Sequence, residues 1–325
     1  MPLIAHSELP SFKHLKKQGE TILSKDRAEH QDIRELHIGL LNMMPDAALE
    51  ATERQFFRLV GHSNQIAQFY MHPFSLSNIK RGVRATSHLK KHYKTFDEIR
   101  SQGLDALIIS GANVSQPSLK LEPFYEQLRG VIDWSYENVT STLCSCLATH
   151  AIMKAKYGIE RQMRNEKAWG IFKHDVGKVS HHLIQGLEEG FDGPHSHYYD
   201  FPINEIESTD LEILATNDFA GMYLASSKDG SLVLFQGHPE YGGNSLLKEY
   251  QREINNFVSG SRADYPPLPK NYFSSSKIEK IKELKQSLLS EPKHITLDES
   301  LISNIDLNWQ SAGKIIYRNW LNSLV

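Results

Sequence analysis

The chain has 325 residues, a formal net charge of -3, 40% hydrophobic and 23% charged residues, which is the balance of a globular protein with one large domain or two modest ones. Such a balance carries no basic footprint for nucleic acid and none for a membrane surface. No apolar run approaches the roughly 20 residues of a membrane helix, and the start MPLIAHSELPSFKHLKK lacks the basic and apolar regions of a secretory leader.

Residues 1–33 are polar and mixed and read as a partly ordered lead-in. RELHIGLLNMMP (34–45) is a short buried strand closed by a proline turn. DAALEATERQFFRLVG has helical spacing through Leu49, Phe56 and Leu59, with Gly61 as its stop. NQIAQFYMHPF alternates as a second strand, and GLDALIISGAN is an apolar run that feeds a loop, as buried parallel strands do. EPFYEQLRGVIDWSYE is helical, NVTSTLCS is the next strand, and LATHAIMKAKYG the next helix. This alternation predicts an α/β fold with a mostly parallel sheet flanked by helices. Beyond Gly158 the text becomes richer in strands and loops, through WGIFKHDVGKV, LEILAT, GMYLASS and SLVLFQGHPEY. GNSLLKEYQREINNFV is an amphipathic helix, and a Pro-rich turn separates it from a charged helical stretch and a final helix ending NWLNSLV. The region 274–306 reads as an insertion or surface helix with a solvated charged face. The expected division is therefore a lead-in (1–33), an α/β catalytic domain (34–265) and a helical extension (266–325) packed on the same domain.

In open α/β sheets functional groups gather where strands end. Both cysteines, Cys144 and Cys146, lie at one such end. Residues two apart close a very strained disulfide ring, so free thiols in a cytoplasmic setting are expected. A nucleophile on a strand-to-helix elbow needs small residues two before and two after it. Cys146 satisfies this with Cys144 and Ala148; Cys144 would still lie within its strand. At the start of a helix, dipole and free N–H groups favour a thiolate, and the Leu147 amide can supply half of an oxyanion hole. The competing reading is two buried small residues, and the local pattern leaves both open. A metal site from Cys144, Cys146 and His150 has an unusual spacing and lacks a fourth ligand. The histidines of SHHL and PHSHYYD show no recognised ligand spacing either.

SLVLFQGHPEY ends in His238 and Glu240, which project the same way from an extended segment. A cysteine nucleophile needs a base, and the base an orienting carboxylate. Alone this is a surface turn with two ordinary polar residues. With the elbow it favours a Cys146–His238–Glu240 triad.

That constellation is similar to class I glutamine amidotransferases, although the glycines usual around their cysteine are missing. In order, SELPSF, LLNMMP, TERQFFRLV, SGA, VTSTLCSC, KYGI, NEKAWGIFKH, GPHSHYYDFP, TDLEILA, GHPEYGGNSLLKEYQREI, NYF and NWLN run nearly end to end. Over this span the chain resembles the homoserine O-succinyltransferase/O-acetyltransferase family of methionine biosynthesis. The resemblance implies a flavodoxin-like, class I glutamine amidotransferase-like fold, and a ping-pong acyl transfer through Cys146. The CoA thioester is then a substrate; no cofactor and no metal are implied. It places Lys167, Ser196 and Arg252 at the amino-acid acceptor, and Ser115 at the position where glutamate accompanies acetyl-CoA and glycine succinyl-CoA. A small, uncharged serine leans to succinyl-CoA, with acetyl-CoA as alternative. The acceptor implied is L-homoserine, with L-serine as alternative, and the assembly a homodimer. The loop DAALEATERQ lacks the family's basic residues. Two other classes remain in view: an amidotransferase-like amide hydrolase and a non-catalytic binding protein.

Overall fold

The computed structural model describes residues 3–31, 33–63, 67–303 and 305–324. Eleven strands form one sheet: β1 (Leu3–Ala5), β2 (Ile22–Ser24), β3 (Glu35–Met43), β4 (Gln68–Phe74), β5 (Ala106–Ala112), β6 (Ser141–Ser145), β7 (Gln162–Val176), β8 (Gly190–Asp200), β9 (Leu211–Asn217), β10 (Gly221–Ser227) and β11 (Leu232–Phe235). Their order is β2-β1-β4-β3-β5-β6-β11-β10-β9-β7-β8. From β2 to β11 every neighbour is parallel, and the four strands beyond β11 pair antiparallel.

The central strands explain their own position. LLNM, ALIIS and STLCS are buried residue after residue, because helices cover both faces of a parallel sheet. Alternate side chains serve opposite faces. Ile38, Leu40, Ile108, Leu143 and Phe235 meet the helices Asp46–Ser63 and Asn308–Asn322 on one side. Leu41, Ile109, Cys144 and Leu234 meet Tyr125–Asn138 and Leu147–Tyr157 on the other. A third cluster joins Trp169 and Ile171 of β7 to Tyr250 and Ile254 of the helix Ser245–Val258.

Two expectations are corrected. Residues 3–31 are not a loose lead-in, because β1 and β2 extend the sheet and Leu9, Phe12 and Leu15 are buried in its core. The helix from Asp46 runs through Gly61 to Ser63, since Leu3 packs over Gly61 and leaves no turn there. The charged stretch near 280 is the expected surface helix with a solvated face: in Ser275–Ser290 the charges face solvent, while Ile281 and Leu288 are buried in the third cluster. The final helix is anchored by Trp320 Nε1 donating to Ser141 Oγ (2.8 Å), and at its start Trp309 Nε1 donates to the Tyr241 carbonyl (2.9 Å). Among the described residues no helix is long and apolar enough to cross a membrane. Asn64, Gln65 and Ile66, which open the predicted strand NQIAQFYMHPF, lie outside the described residues.

Gly170 joins the C-terminal segment to β7. Its φ is +139°, and a Cβ there would sit 2.1 Å from the Lys270 carbonyl oxygen, which accepts from the Ile171 N–H at 2.9 Å. Neither backbone can yield without breaking that bridge. Gly170→Ala is therefore expected to lower stability by about 2–4 kcal/mol, read from the urea midpoint. Gly130→Ala, on an open helix surface with no atom within 4 Å of the added Cβ, should gain up to about 1 kcal/mol.

Candidate active site

β6 ends at Ser145, and Cys146 turns the chain into the helix Leu147–Tyr157 with φ 51° and ψ −105°. A side chain rarely holds that conformation, and where it persists the surroundings enforce it. Here the Cys146 N–H donates to the Phe235 carbonyl (2.7 Å). Thr149 Oγ1 reaches the carbonyls of Phe235 (2.8 Å) and Cys144 (3.1 Å). Cys144 and Ala148 are fully buried on either side. Cys144 belongs to the sheet's core and burial pushes its thiol pKa up, whereas Cys146 lines a cavity of about 460 Å³, a size typical of small-molecule sites. The Leu147 amide is in the helix's first turn, where N–H groups have no intrahelical acceptor.

β11 delivers the partner. Gly237 passes so close to Tyr223 that a Cβ would lie 2.1 Å from its ring. His238 follows, its N–H held by the Pro194 carbonyl (2.9 Å) and its ring stacked on Tyr241 at 4.2 Å. Nδ1 lies 2.7 Å from Glu240 Oε1, and the ring shares the cavity wall with Cys146, near enough for the thiol to raise the imidazole pKa. Burial works against the imidazolium, but the Glu240 charge, the Cys146 thiol and the Glu240 hydrogen bond outweigh it and hold the His238 pKa well above its ordinary value. Behind the pair, burial foremost and then the Glu240 charge push the Tyr223 and Tyr317 phenols up.

Across the cavity stands Glu249. Its Oε2 accepts from Ser196 Oγ (2.6 Å) and Trp169 Nε1 (2.9 Å), and Oε1 from the Tyr241 hydroxyl (2.5 Å). Lys167 Nζ is 3.7 Å away and lies over the Trp169 ring at 4.2 Å. Burial alone would raise the Glu249 pKa; Lys167 and the two hydroxyls hold it below the ordinary range. Burial lowers the Lys167 pKa against the pull of Glu249. Ser196 spends its proton on Glu249, so its lone pairs remain to accept from an ammonium. Arg252 is half exposed at the rim, 3.3 Å from Glu253.

Cys146, Leu147, Lys167, Ser196, His238 and Arg252 thus converge on one cavity, with Glu240 behind His238. Ser115 does not join them. Its side chain is exposed, because Glu122 Oε1 accepts the N–H groups of both Ser115 (2.6 Å) and Gln116 (2.7 Å) and turns the loop outward. Asn113 and Val114 form that part of the wall. The histidines of PHSHYYD form a buried string: His174 Nε2 meets His195 Nε2 at 2.8 Å and His195 Nδ1 meets His197 Nε2 at 3.0 Å. Burial holds His174 and His197 down at about 3.

Sequence reasoning missed Glu249, Tyr241 and Arg161. Glu249 carried a signal, since it stands three residues before Arg252 on the polar face of an amphipathic helix. Arg161, between a helix cap and a polar strand start, carried none.

The homoserine O-succinyltransferase family profile matches residues 2–325. A homoserine O-succinyltransferase from Thioalkalivibrio nitratireducens is 50% identical over 332 residues, covering 100% of this chain and 93% of that protein. One from Nitrosococcus oceani is 50% identical over 331 residues, covering 100% and 92%. Among solved structures, a glutamine amido transferase from Methylobacillus flagellatus superposes with a TM-score of 0.50 at 13% identity, over 90% of this chain and 96% of the other; that likeness carries the fold alone, the glutamine amidotransferase-like α/β fold expected from the sequence. A profile match from end to end, with relatives half identical over the whole chain, establishes that the chain belongs to the homoserine O-succinyltransferase family.

Proposed function

We propose that this chain moves a succinyl group from succinyl-CoA to the hydroxyl of L-homoserine, a step of methionine biosynthesis, through an acyl-enzyme on Cys146. The observation that carries this reading is a cysteine on an enforced elbow, sharing a cavity with a histidine that a carboxylate orients and with Lys167 and Arg252. His238 takes the thiol proton, the sulfur attacks the thioester carbonyl, and the Leu147 amide with one from the Gly111–Ala112 turn receives the oxyanion. The C–S bond to CoA breaks and the thiolate leaves with the proton from His238. The amino acid then enters, its carboxylate toward Arg252 and Lys167 and its ammonium toward Ser196. His238 removes the hydroxyl proton, the oxygen attacks the acyl carbon, and Cys146 is released.

Mixing the protein with succinyl-CoA or acetyl-CoA, without acceptor, and weighing it intact tests the reading. A succinyl adduct that L-homoserine discharges faster than L-serine is expected. An acetyl adduct alone, or discharge by serine, would replace the donor or acceptor; no adduct, with glutamine hydrolysed instead, would sink the transferase.

The two half-reactions separate the acceptor residues. Arg252→Met is expected to raise the KM for homoserine roughly 10–100-fold, as loss of a charge-assisted hydrogen bond does. Acylation by the donor should stay unchanged in the same variant, measured by rapid quench.

A further inference from the structure

We propose that Arg161 is a donor-specificity residue of this site, its guanidinium receiving the distal carboxylate of the succinyl group while Cys146 takes the acyl carbon. The inference rests on the transferase reading above and deepens it.

Charge pairing in the cavity points there. Besides the histidines, three lysine and arginine side chains line it: Arg161, Lys167 and Arg252. Lys167 has Glu249 at 3.7 Å and Arg252 has Glu253 at 3.3 Å. Among the described residues, no carboxylate lies within 4.0 Å of Arg161. Its Nη2 donates to the carbonyls of Gln116 (3.0 Å) and Pro117 (3.2 Å), and its plane lies 3.9 Å from the Tyr199 ring centroid. Nε is buried without a partner. The guanidinium is therefore fixed in place with donors uncommitted, and a half-buried cation with no anion against it favours a ligand that brings one.

Its place suits the donor rather than the acceptor. The carbonyls it holds belong to the loop after β5, whose Asn113 and Val114 line the cavity and whose amides Glu122 fixes from the other side. Arg161 and Cys146 line the same cavity. In a succinyl thioester the free carboxylate is two methylenes from the reacting carbon; an acetyl group offers the guanidinium nothing. Arg161 then gives donor choice a cation inside the cavity, whereas the Ser115 side chain is exposed on the loop beside it. A site built to pair a polar group discriminates far more sharply than one that only provides space.

The test uses Arg161→Met, which keeps length without charge, and Arg161→Lys, which restores charge. Acyl-enzyme formation is followed by intact mass with each donor, and the homoserine KM is measured alongside. Arg161→Met should lose roughly 100-fold in kcat/KM for succinyl-CoA, hold acetyl-CoA within about threefold, and leave the homoserine KM unchanged; Arg161→Lys should recover most of the loss. Equal losses with both donors, no loss with either, or a change confined to the homoserine KM would overturn the assignment. Wild-type protein that succinyl-CoA does not acylate would instead overturn the transferase reading on which it stands.

Discussion

Cys146→Ala is expected to abolish the acyl-enzyme and to lower kcat/KM for acyl transfer by at least about 10⁴, the scale on which triad nucleophiles act. No other side chain can substitute. The neighbouring thiol, Cys144, is fully buried in the core on the helix-covered side of the sheet, and burial pushes its pKa up, away from the thiolate. Cys146 alone sits where β6 breaks into the helix, with the backbone forced to φ 51°. Intact mass after succinyl-CoA treatment checks this, with Cys144→Ala as contrast: that variant should still acylate while losing about 1 kcal/mol of stability for a small buried side chain. An adduct retained by Cys146→Ala would refute the assignment of the nucleophile.

Much of the parallel half of the sheet was legible in the sequence, for a physical reason. Strands β3, β5 and β11 are covered on both faces, so their text contains the short, mostly apolar runs of buried parallel strands. The elbow was legible too, because a nucleophile turn admits only small neighbours. Strands β1 and β2 were not, since three residues cannot display a period and their pairing comes from β4, far along the chain. The start of β7 was missed likewise: QMRNEK is polar apart from the exposed Met163, and its first residues pair with the end of β8.

The site divides the same way. Cys146, His238 and Glu240 are joined by local geometry, at one strand end and two residues apart on an extended segment. Lys167 and Arg252 look like surface charges in the text, and only the resemblance to a family singled them out. The structure gives the cause: β7, β8 and the helix Ser245–Val258 converge on Glu249, which draws Lys167 and Ser196 to one point. Ser115 shows the reverse. Its position beside Gly111 and Ala112 suggests the cavity, and Glu122, seven residues on, turns it to solvent.

Glu240→Gln should lower kcat by roughly 10³–10⁴ while leaving the fold and the Cys146 elbow intact. Oε1 accepts the Nδ1 proton of His238 at 2.7 Å, which leaves the other ring nitrogen free to take a proton. Oε2 is buried without a partner. A glutamine can present its carbonyl to Nδ1 only by burying an unpaired NH₂ where Oε2 now lies. The alternative is to present the NH₂, which fixes the tautomer that cannot accept the thiol proton. Either orientation also removes a negative charge. In the native protein that charge, with the Cys146 thiol and the Glu240 hydrogen bond, is what keeps the His238 pKa well above its ordinary value against the opposing effect of burial. With the charge gone the burial penalty remains, so the His238 pKa must fall and the ring is neutral over more of the range near pH 7. NMR of labelled histidine would follow that shift directly. A His238 pKa that stayed high in Glu240→Gln, together with a kcat near wild type, would mean that Glu240 neither orients nor charges the base, and the triad would reduce to a pair.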